Sequence, residues 1–152
     1  MRIAIGCDHG GIVLKPAIIE YLSNNGIDYT DFGTDSTESC DYPDFAVKVA
    51  DAVVKKVADK GILLCGTGIG ITIAANKVRG IRAAVVSDEF SASACAEHNN
   101  ANILGLGGRI VSPEKAVKLV SLWLNTSYAG GRHQKRIDKI AEIEARENCV
   151  KY

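Results

Sequence analysis

Short runs of apolar residues alternate along the chain with stretches in which apolar residues recur every three or four positions. The runs predict buried β-strands and the recurring stretches predict helices between them. Strands that alternate with helices across short connections are typical of a parallel sheet covered on both faces. The sequence therefore predicts an α/β, three-layer Rossmann-like fold with a five-stranded parallel sheet, as a single domain over residues 1–152. The predicted strands are Ile3–Ile5, Tyr29–Phe32, Ile62–Cys65, Ala83–Val86 and Ile103–Leu106.

Local signals place the ends of several helices. Pro16 fits only the first turn of a helix, and Asn25-Gly26 ends that helix with residues that tolerate a left-handed backbone. Ser87 or Asp88 caps the helix after the fourth strand, and Ser112-Pro113-Glu114 is a strong start for the next. A loop is predicted from Gly33 to Pro43. The predicted apolar faces of the first, second and last helices are Leu14, Ile18, Tyr21 and Leu22; Ala46, Val47, Ala50, Val53, Val54 and Val57; and Ile137, Ile140 and Ile143.

Composition and charge narrow the class of protein. Apolar residues make up 47% of the chain and the mean hydropathy is +0.05, as in ordinary globular proteins. The 18 basic and 18 acidic side chains cancel, whereas proteins that bind nucleic acids or membrane surfaces need a basic excess. No apolar run approaches the roughly 20 residues of a membrane-spanning helix. We therefore expect neither nucleic-acid nor membrane partners.

The zero net charge conceals two charged segments. Residues 28–59 carry eight acids and three lysines, and Arg132–Lys139 carries four bases and one acid. The ordinary interpretation of such a run is a solvated helix face. The last helix, which begins at about Arg132, is expected to pack on a partner subunit.

The cysteines indicate a reducing compartment. Five are present, which is an odd number, and no two are spaced as Cys-x-x-Cys. The start of the chain has too short an apolar run for a signal peptide. Reduced thiols in a cytoplasmic protein are the natural interpretation.

Three segments carry reactive residues where such a fold collects its chemistry, around the carboxyl ends of parallel strands. They are Cys7–Gly11, Cys65–Gly70, and His98–Asn100 at the end of the fourth helix. Cys65 alone would be an ordinary core residue, because free cysteines are mostly buried. The glycines that follow it let backbone N–H groups face inward at a helix start, an arrangement that favours an anion and a thiolate. Cys65 is therefore a candidate base or nucleophile beside donors suited to an oxyanion.

Other interpretations of these segments are weaker. A dinucleotide fingerprint would need glycine at position 71, which is Ile71, although Asp88 lies about where a ribose-binding acid is expected. A Walker A loop is absent because no glycine precedes Lys-Ser or Lys-Thr. Asp8, His9 and His98 could converge on a metal, but no metal-ligand spacing supports this.

The separated motifs together are more specific than any one of them. They are Gly6–Gly11 with Leu14-Lys15, Asp41–Asp44, Cys65–Gly70 with Ala74–Lys77, Gly80–Ala83, Glu97–Asn99, Asn102–Leu104, and Gly130–His133 with Arg136. In this order, and over nearly the whole chain, they resemble the type B ribose-5-phosphate isomerase family, which includes allose- and galactose-6-phosphate isomerases. Cys7 departs from the pattern, because members often have serine there; we interpret it as a packing residue. One galactose-6-phosphate isomerase subunit lacks the cysteine found here as Cys65, so this chain resembles a catalytic member.

The resemblance implies an aldose–ketose isomerase of a phosphorylated sugar, with no metal and no organic cofactor. By similarity, Cys65 moves a proton between C1 and C2, His98 assists ring opening, and Asp8 meets sugar hydroxyls. The other implied contacts are Gly66, Thr67, Gly68, Ile69 and Gly70 around the enediolate, His9, Arg109, Arg132 and Arg136 at the phosphate, and Tyr42 and Asn99 at the sugar. Independently of the family, Arg132 and Arg136 are four residues apart and share a helix face, where their guanidinium forks suit a phosphate.

The resemblance also implies a homodimer or dimer of dimers whose active site is shared, so that His98, Asn99 and some arginines serve the neighbouring chain. Ribose 5-phosphate is the expected substrate. Two alternatives stay open at this point: an isomerase of allose or galactose 6-phosphate, and a sugar-phosphate- or nucleotide-binding module without catalysis.

Overall fold

Five apolar runs form one parallel sheet. The computed structural model describes residues 1–147. All the strand pairings are parallel, and the strands lie in the order β2-β1-β3-β5-β4. The predicted α/β fold is thus confirmed. The strands are β1 (Arg2–Cys7), β2 (Asp28–Asp31), β3 (Lys60–Cys65), β4 (Ala83–Val85) and β5 (Ile103–Gly107).

Helices cover both faces of the sheet. One apolar core lies between the sheet and helices α1, α4 and α5, and a second lies between the sheet and helices α2 and α3. A last helix, α6, ends the described part of the chain. No helix in residues 1–147 combines the length and the apolar run that crossing a membrane requires. The helices are α1 (Lys15–Asn24), α2 (Tyr42–Val54), α3 (Ile69–Ala75), α4 (Glu89–Glu97), α5 (Pro113–Asn125) and α6 (Arg132–Glu147), with a short 3-10 turn at Ile12–Leu14.

Cys7 and Cys65, in the neighbouring strands β1 and β3, point to opposite faces of the sheet. Successive side chains of a strand point to opposite faces, so Cys7 joins the core beneath α1 whereas Cys65 joins the core beneath α2 and α3. Cys7 is fully buried, and burial raises the pKa of its thiol to about 12. A neutral thiol packed on the far face supports a packing role for Cys7.

The predicted helix caps are present. The carboxylate of Asp88 accepts hydrogen bonds from the backbone N–H and the hydroxyl of Ser91, each at 2.8 Å. Ser112 accepts from the N–H of Lys115 at 3.3 Å, and Gly26 after α1 has φ +63°. The position of Asp88 is thus explained by its role as a helix cap.

Helix α2 differs from its prediction in two ways. It begins at Tyr42, inside the predicted loop, because Pro43 occupies its first turn, where a proline costs no hydrogen bond. The predicted face is also partly wrong, since Val47, Val54 and Val57 are about half exposed. The residues of α2 that are buried are Ala46, Val49, Ala50, Ala52 and Val53.

The two edge strands of the sheet are covered or polar. At the β4 edge, the side-chain amide of Asn76 accepts from the N–H of Ala83 at 2.8 Å and donates to its carbonyl at 2.9 Å. At the other edge, β2 has the sequence Asp-Tyr-Thr-Asp and all four of its residues are exposed. Between them, the strand order reverses at β1 and β3, which leaves a crevice at the carboxyl ends of these strands.

Candidate active site

A cleft of about 450 Å³ lies at the carboxyl ends of β1 and β3. Its lining comes from the loop after β1, the loop after β3, the start of α2 and the loop after β5. All of its lining residues except Gly10 are site candidates from the sequence or from the family resemblance, and Gly10 lies in the segment Cys7–Gly11 singled out above. They are Asp8, His9, Gly10, Tyr42, Cys65, Gly66, Thr67, Ile69, Gly70 and Arg109.

Cys65 ends β3 at the floor of this cleft. Its side chain is 5% exposed, and its Sγ accepts a hydrogen bond from the backbone N–H of Gly68 at 3.1 Å. Gly68 has φ +78°, a left-handed conformation that glycine adopts without strain and that turns this N–H back toward the sulfur. The sulfur is thus held in contact with the amide at the start of α3.

Asp8 follows β1 and is almost fully buried. Its Oδ1 accepts from the N–H groups of Gly10 and Gly11 at 2.8 and 3.1 Å. These two bonds fix the carboxylate at the cleft wall and hold it as an acceptor. The carboxylate is thus arranged to receive hydrogen bonds from hydroxyl groups in the cleft.

His9 is oriented by a distant loop. Its Nδ1 accepts a hydrogen bond from the backbone N–H of Cys40 at 3.2 Å, and the Cys40 Sγ lies 3.8 Å from the same nitrogen. When Nδ1 is the acceptor, the proton of the neutral ring must be on Nε2. His9 therefore presents an N–H donor at Nε2.

Two larger side chains lie across the glycine loop. A Cβ added to Gly70 would lie 2.8 Å from Cζ and 3.1 Å from the hydroxyl oxygen of Tyr42. A Cβ on Gly66 would lie 3.2 Å from Cζ of Arg109. A side chain at either glycine would press on these groups, so that Tyr42 or Arg109 would have to shift. The guanidinium of Arg109 supplies a positive charge beside the loop.

A second group of predicted residues lies around the start of α6. The rings of His98 and His133 stack with their centroids 4.4 Å apart and their planes at 8°. Burial, followed by the charges of His98, Arg132 and Arg136, lowers the pKa of His133 below its usual value of 6.5. Arg132 and Arg136 are exposed in the first turns of α6.

The two groups lie at opposite ends of the sheet. Because α4 runs antiparallel to the strands it connects, its last residues reach their amino ends, where Asn102 binds Gly61 and Arg82. Cys65 is at the carboxyl end of β3, roughly 15 Å away at about 3.3 Å per residue. Within one chain, therefore, His98 and the α6 arginines do not join the Cys65 cleft.

Asn99 also lies away from the cleft. It lines a larger hollow of about 670 Å³ between the loop before β4 and the apolar side of α6. Ile140 and Ile143 of α6 border this hollow and are about half exposed.

Within one chain, the three residues of the metal alternative do not come together. His98 lies at the opposite end of the sheet from Asp8 and His9, so the convergence of these three residues within one chain is wrong. Throughout residues 1–147, no group of three His, Cys, Asp or Glu side chains is arranged to hold a metal ion.

Two residues outside the cleft lining had no role assigned from the sequence. Cys40 binds His9 from a loop without periodicity, so no pattern indicated the contact. Lys15 appeared only within a motif, yet it is 5% exposed and its ammonium is paired with Asp31 and Asp35. A lysine at the start of a helix ordinarily signals solvent exposure.

Known proteins resemble this chain over almost its full length. The family model described as Ribose/Galactose Isomerase matches residues 3–140. Ribose-5-phosphate isomerase B of Escherichia coli is 49% identical over 147 residues, which are 97% of this chain and 99% of that protein. D-erythrulose-4-phosphate isomerase of Pectobacterium atrosepticum is 43% identical over 148 residues, 97% of each chain. The solved structure of Clostridium thermocellum ribose-5-phosphate isomerase B has a TM-score of 0.95 and 52% identity, covering 97% of this chain and 99% of that one.

Proposed function

The chain belongs to the ribose/galactose isomerase family, and on this premise we propose that it interconverts ribose 5-phosphate and ribulose 5-phosphate by proton transfer through Cys65. The observation that carries the proposal is the 3.1 Å hydrogen bond from the Gly68 N–H to the Cys65 sulfur, in a cleft that also holds Asp8 and His9. A thiol that accepts an amide hydrogen bond, next to a hydroxyl acceptor and an N–H donor, matches what an aldose–ketose isomerisation needs.

Cys65 acts as the single base of the reaction. The thiolate removes the proton from C2 of the open-chain aldose, the C–H electrons form a C1–C2 double bond, and the C1 oxygen becomes an oxyanion. The proton of the C2 hydroxyl then passes to the C1 oxygen. The thiol returns its proton to C1 while the C2 oxygen becomes the ketone carbonyl, so the product is an isomer of the substrate and the thiolate is regenerated.

The glycine loop stabilises the enediolate between these two steps. Gly66, Thr67, Ile69 and Gly70 line the cleft beside the sulfur, where charge develops on the two oxygens. The Gly68 N–H is bound to the sulfur and the Ile69 N–H to the Thr67 hydroxyl, so the donors assigned to these oxygens are the N–H groups of Gly66, Thr67 and Gly70 and the Thr67 hydroxyl. The Thr67 Oγ accepts from the N–H of Ile69 at 3.3 Å, so its own proton is available to a substrate oxygen. Preorganised donors of this kind contribute about 3 kcal/mol each to such a transition state.

The phosphate fixes the reacting carbons. His9 and Arg109 provide one N–H donor and one guanidinium at the cleft, and a group remote from the reaction supplies binding energy that positions C1 and C2 over the sulfur. Arg132 and Arg136, one helical turn apart, complete the phosphate site from a neighbouring chain.

A homodimer with shared sites follows from this assignment. The resemblance gives roles to His98, Asn99, Arg132 and Arg136, and these lie at the far end of the sheet from Cys65 in their own chain. A second copy can bring its His98 to the cleft, where it assists opening of the furanose ring. The half-exposed isoleucines of α6 support a partner packed against this helix.

The thiols support a reducing compartment, and we place the enzyme in the cytoplasm. Cys7, Cys40, Cys65 and Cys95 are free, whereas Cys149 lies outside the described residues. Proteins of oxidising compartments usually pair their cysteines.

The decisive test replaces Cys65 by alanine and follows both isomerisation and exchange of the C2 proton of ribose 5-phosphate into deuterated water. We expect kcat to fall by about three orders of magnitude, the range for a general base, with no exchange above background. Cys95→Ala, which removes another buried cysteine remote from the cleft, is the matched control and should keep full activity. Undiminished turnover in Cys65→Ala would refute the role of this residue.

Two further outcomes separate the alternatives. Ligand-induced stabilisation of the native protein without any C2 exchange would indicate a binding module instead of an enzyme. A higher kcat/KM for allose 6-phosphate than for ribose 5-phosphate would indicate a hexose-phosphate isomerase.

A further inference from the structure

Lys15 forms a buried ionic anchor next to the active site. Its side-chain nitrogen donates to Asp31 at 2.9 Å, to the carbonyl of Thr34 at 2.8 Å and to Asp35 at 2.6 Å. All three acceptors lie where the chain leaves β2 and enters residues 32–41, which we call the β2–α2 loop. The three donors of one ammonium are thus used to hold the start of this loop.

The charge of Lys15 is maintained by these partners. Burial alone would lower the pKa of this lysine, but the hydrogen bonds and charges of Asp35 and Asp31 outweigh burial and raise the pKa above its usual value. The lysine is the buried member of this cluster, so removing its carboxylate partners would leave its charge uncompensated. The anchor therefore keeps the loop start in one position over the ordinary pH range.

Beyond the anchor, hydrogen bonds between residues two positions apart hold the backbone of the β2–α2 loop. The N–H of Ser36 donates to the Thr34 hydroxyl at 3.1 Å, and the N–H of Glu38 donates to the Ser36 hydroxyl at 3.1 Å. The N–H of Thr34 also donates to the carbonyl of Cys7 in β1 at 2.9 Å. These local bonds restrict the backbone of a segment that has no regular secondary structure.

The far end of the loop contacts the active site at two points. The N–H of Cys40 donates to Nδ1 of His9, and Tyr42, two residues later, lies against Gly70 of the glycine loop. The position of the loop thus decides whether His9 is held with its proton on Nε2. Without the Cys40 N–H, the ring of a neutral histidine is free to exchange between its two tautomers and to turn.

We propose that Lys15 is a positioning residue of the isomerase: by anchoring the β2–α2 loop, it holds His9 in the Nε2–H tautomer that donates to the substrate phosphate. This inference rests on the proposed function only in naming a sugar phosphate as the group that accepts the hydrogen bond from His9. The tautomer of His9 is a property of the protein without substrate.

The first measurement is made without substrate, by long-range ¹H–¹⁵N NMR of the histidine rings. A fixed Nε2–H tautomer gives two well-separated nitrogen resonances, whereas tautomer exchange averages them. We expect His9 to show the fixed pattern in the native protein and averaged resonances in Lys15→Met. Methionine keeps the apolar stem of the lysine and removes its charge.

The second measurement is the kinetics with ribose 5-phosphate. We expect Lys15→Met to lower kcat/KM about tenfold, the effect of one lost hydrogen bond to a charged group, mainly through KM. Lys55→Met is the matched control because Lys55 also pairs with an aspartate, Asp51 at 2.7 Å, but on the exposed side of α2. It should change neither the His9 resonances nor the kinetics.

An Asp35→Ala variant covers the case in which Lys15→Met does not fold. The Asp35 side chain is 92% exposed, so its removal leaves the core intact while weakening the anchor. We expect a smaller change of the same kind in the His9 resonances and in KM. Unchanged His9 resonances in either folded variant overturn the proposal. If the His9 resonances are averaged in Lys15→Met but the native protein does not convert ribose 5-phosphate, the anchor is supported and the proposed function is refuted.

Discussion

Two inactive variants should restore activity when they are combined in one dimer. The perturbation is a pair of single substitutions, Cys65→Ala and His98→Asn, made in separate chains. His98 is partly exposed at the end of α4 and Cys65 lies at the opposite end of the sheet, so neither change disturbs the surroundings of the other. If each site takes its base from one chain and its ring-opening histidine from the other, a mixed dimer contains one intact site and one doubly defective site.

The size of the effect follows from the geometry and from simple statistics. Roughly 15 Å of strand β3 separates the two residues in one chain, a distance that a five-carbon sugar phosphate does not span. Random association of equal amounts of two chains gives about half mixed dimers, and half of their sites are intact. The mixture should therefore regain about a quarter of the native activity.

The assay is to unfold the two variants together in urea, refold them, and measure ribose 5-phosphate turnover against each variant refolded alone. A second mixture distinguishes the arrangements further: native chain with the double variant Cys65→Ala/His98→Asn. Shared sites leave about a quarter of full activity in this mixture, whereas sites within one chain leave about half. A first mixture no more active than its parents, together with half activity in the second, would refute the shared site.

Three further predictions follow from individual side chains. The pKa of His133 in the folded protein is below 6.5, mainly because of burial, so the unfolded chain binds more protons below that pH. The free energy of unfolding should therefore fall as the pH drops from about 6.5. In urea titrations, the free energy of unfolding of His133→Gln should depend less on pH than that of the native protein. Gly11→Ala would place a Cβ 2.6 Å from the carbonyl oxygen of Leu64, and we expect a loss of about 2 kcal/mol or more in urea unfolding because the backbone must move. Burial raises the pKa of Cys7 to about 12 and that of Cys95 to about 11, so peptide mass spectrometry should find neither alkylated by iodoacetamide near pH 8 unless the protein is first unfolded.

The features that the sequence predicted well depend on near neighbours along the chain. The caps at Asp88 and Ser112 need only a side chain and an N–H group three residues later. The cleft around Cys65 was also predictable, since parallel strands that end in glycine-rich loops bring those loops together at the reversal of strand order.

The features that the sequence did not predict depend on long-range packing. Helix α2 is apolar on most of its circumference, so periodicity could not decide that Val49 is buried and Val47 exposed. The separation of His98 from Cys65 within one chain was implied only by the family resemblance, because the order of motifs along the chain does not reveal the direction of α4. The burial of Lys15 needs carboxylates 16 and 20 residues further on to close around it.

The polar groups that protect the two edge strands limit how copies of the protein can associate. Unpaired N–H and C=O groups on an edge strand are templates for the strands of other molecules, and so for aggregation. The Asn76 amide occupies the outward groups of Ala83 in β4, and the aspartates of β2 place negative charge along the other edge. Contacts between copies are thereby directed to helix faces, where two chains can meet as a closed pair instead of extending one another's sheet into a fibre.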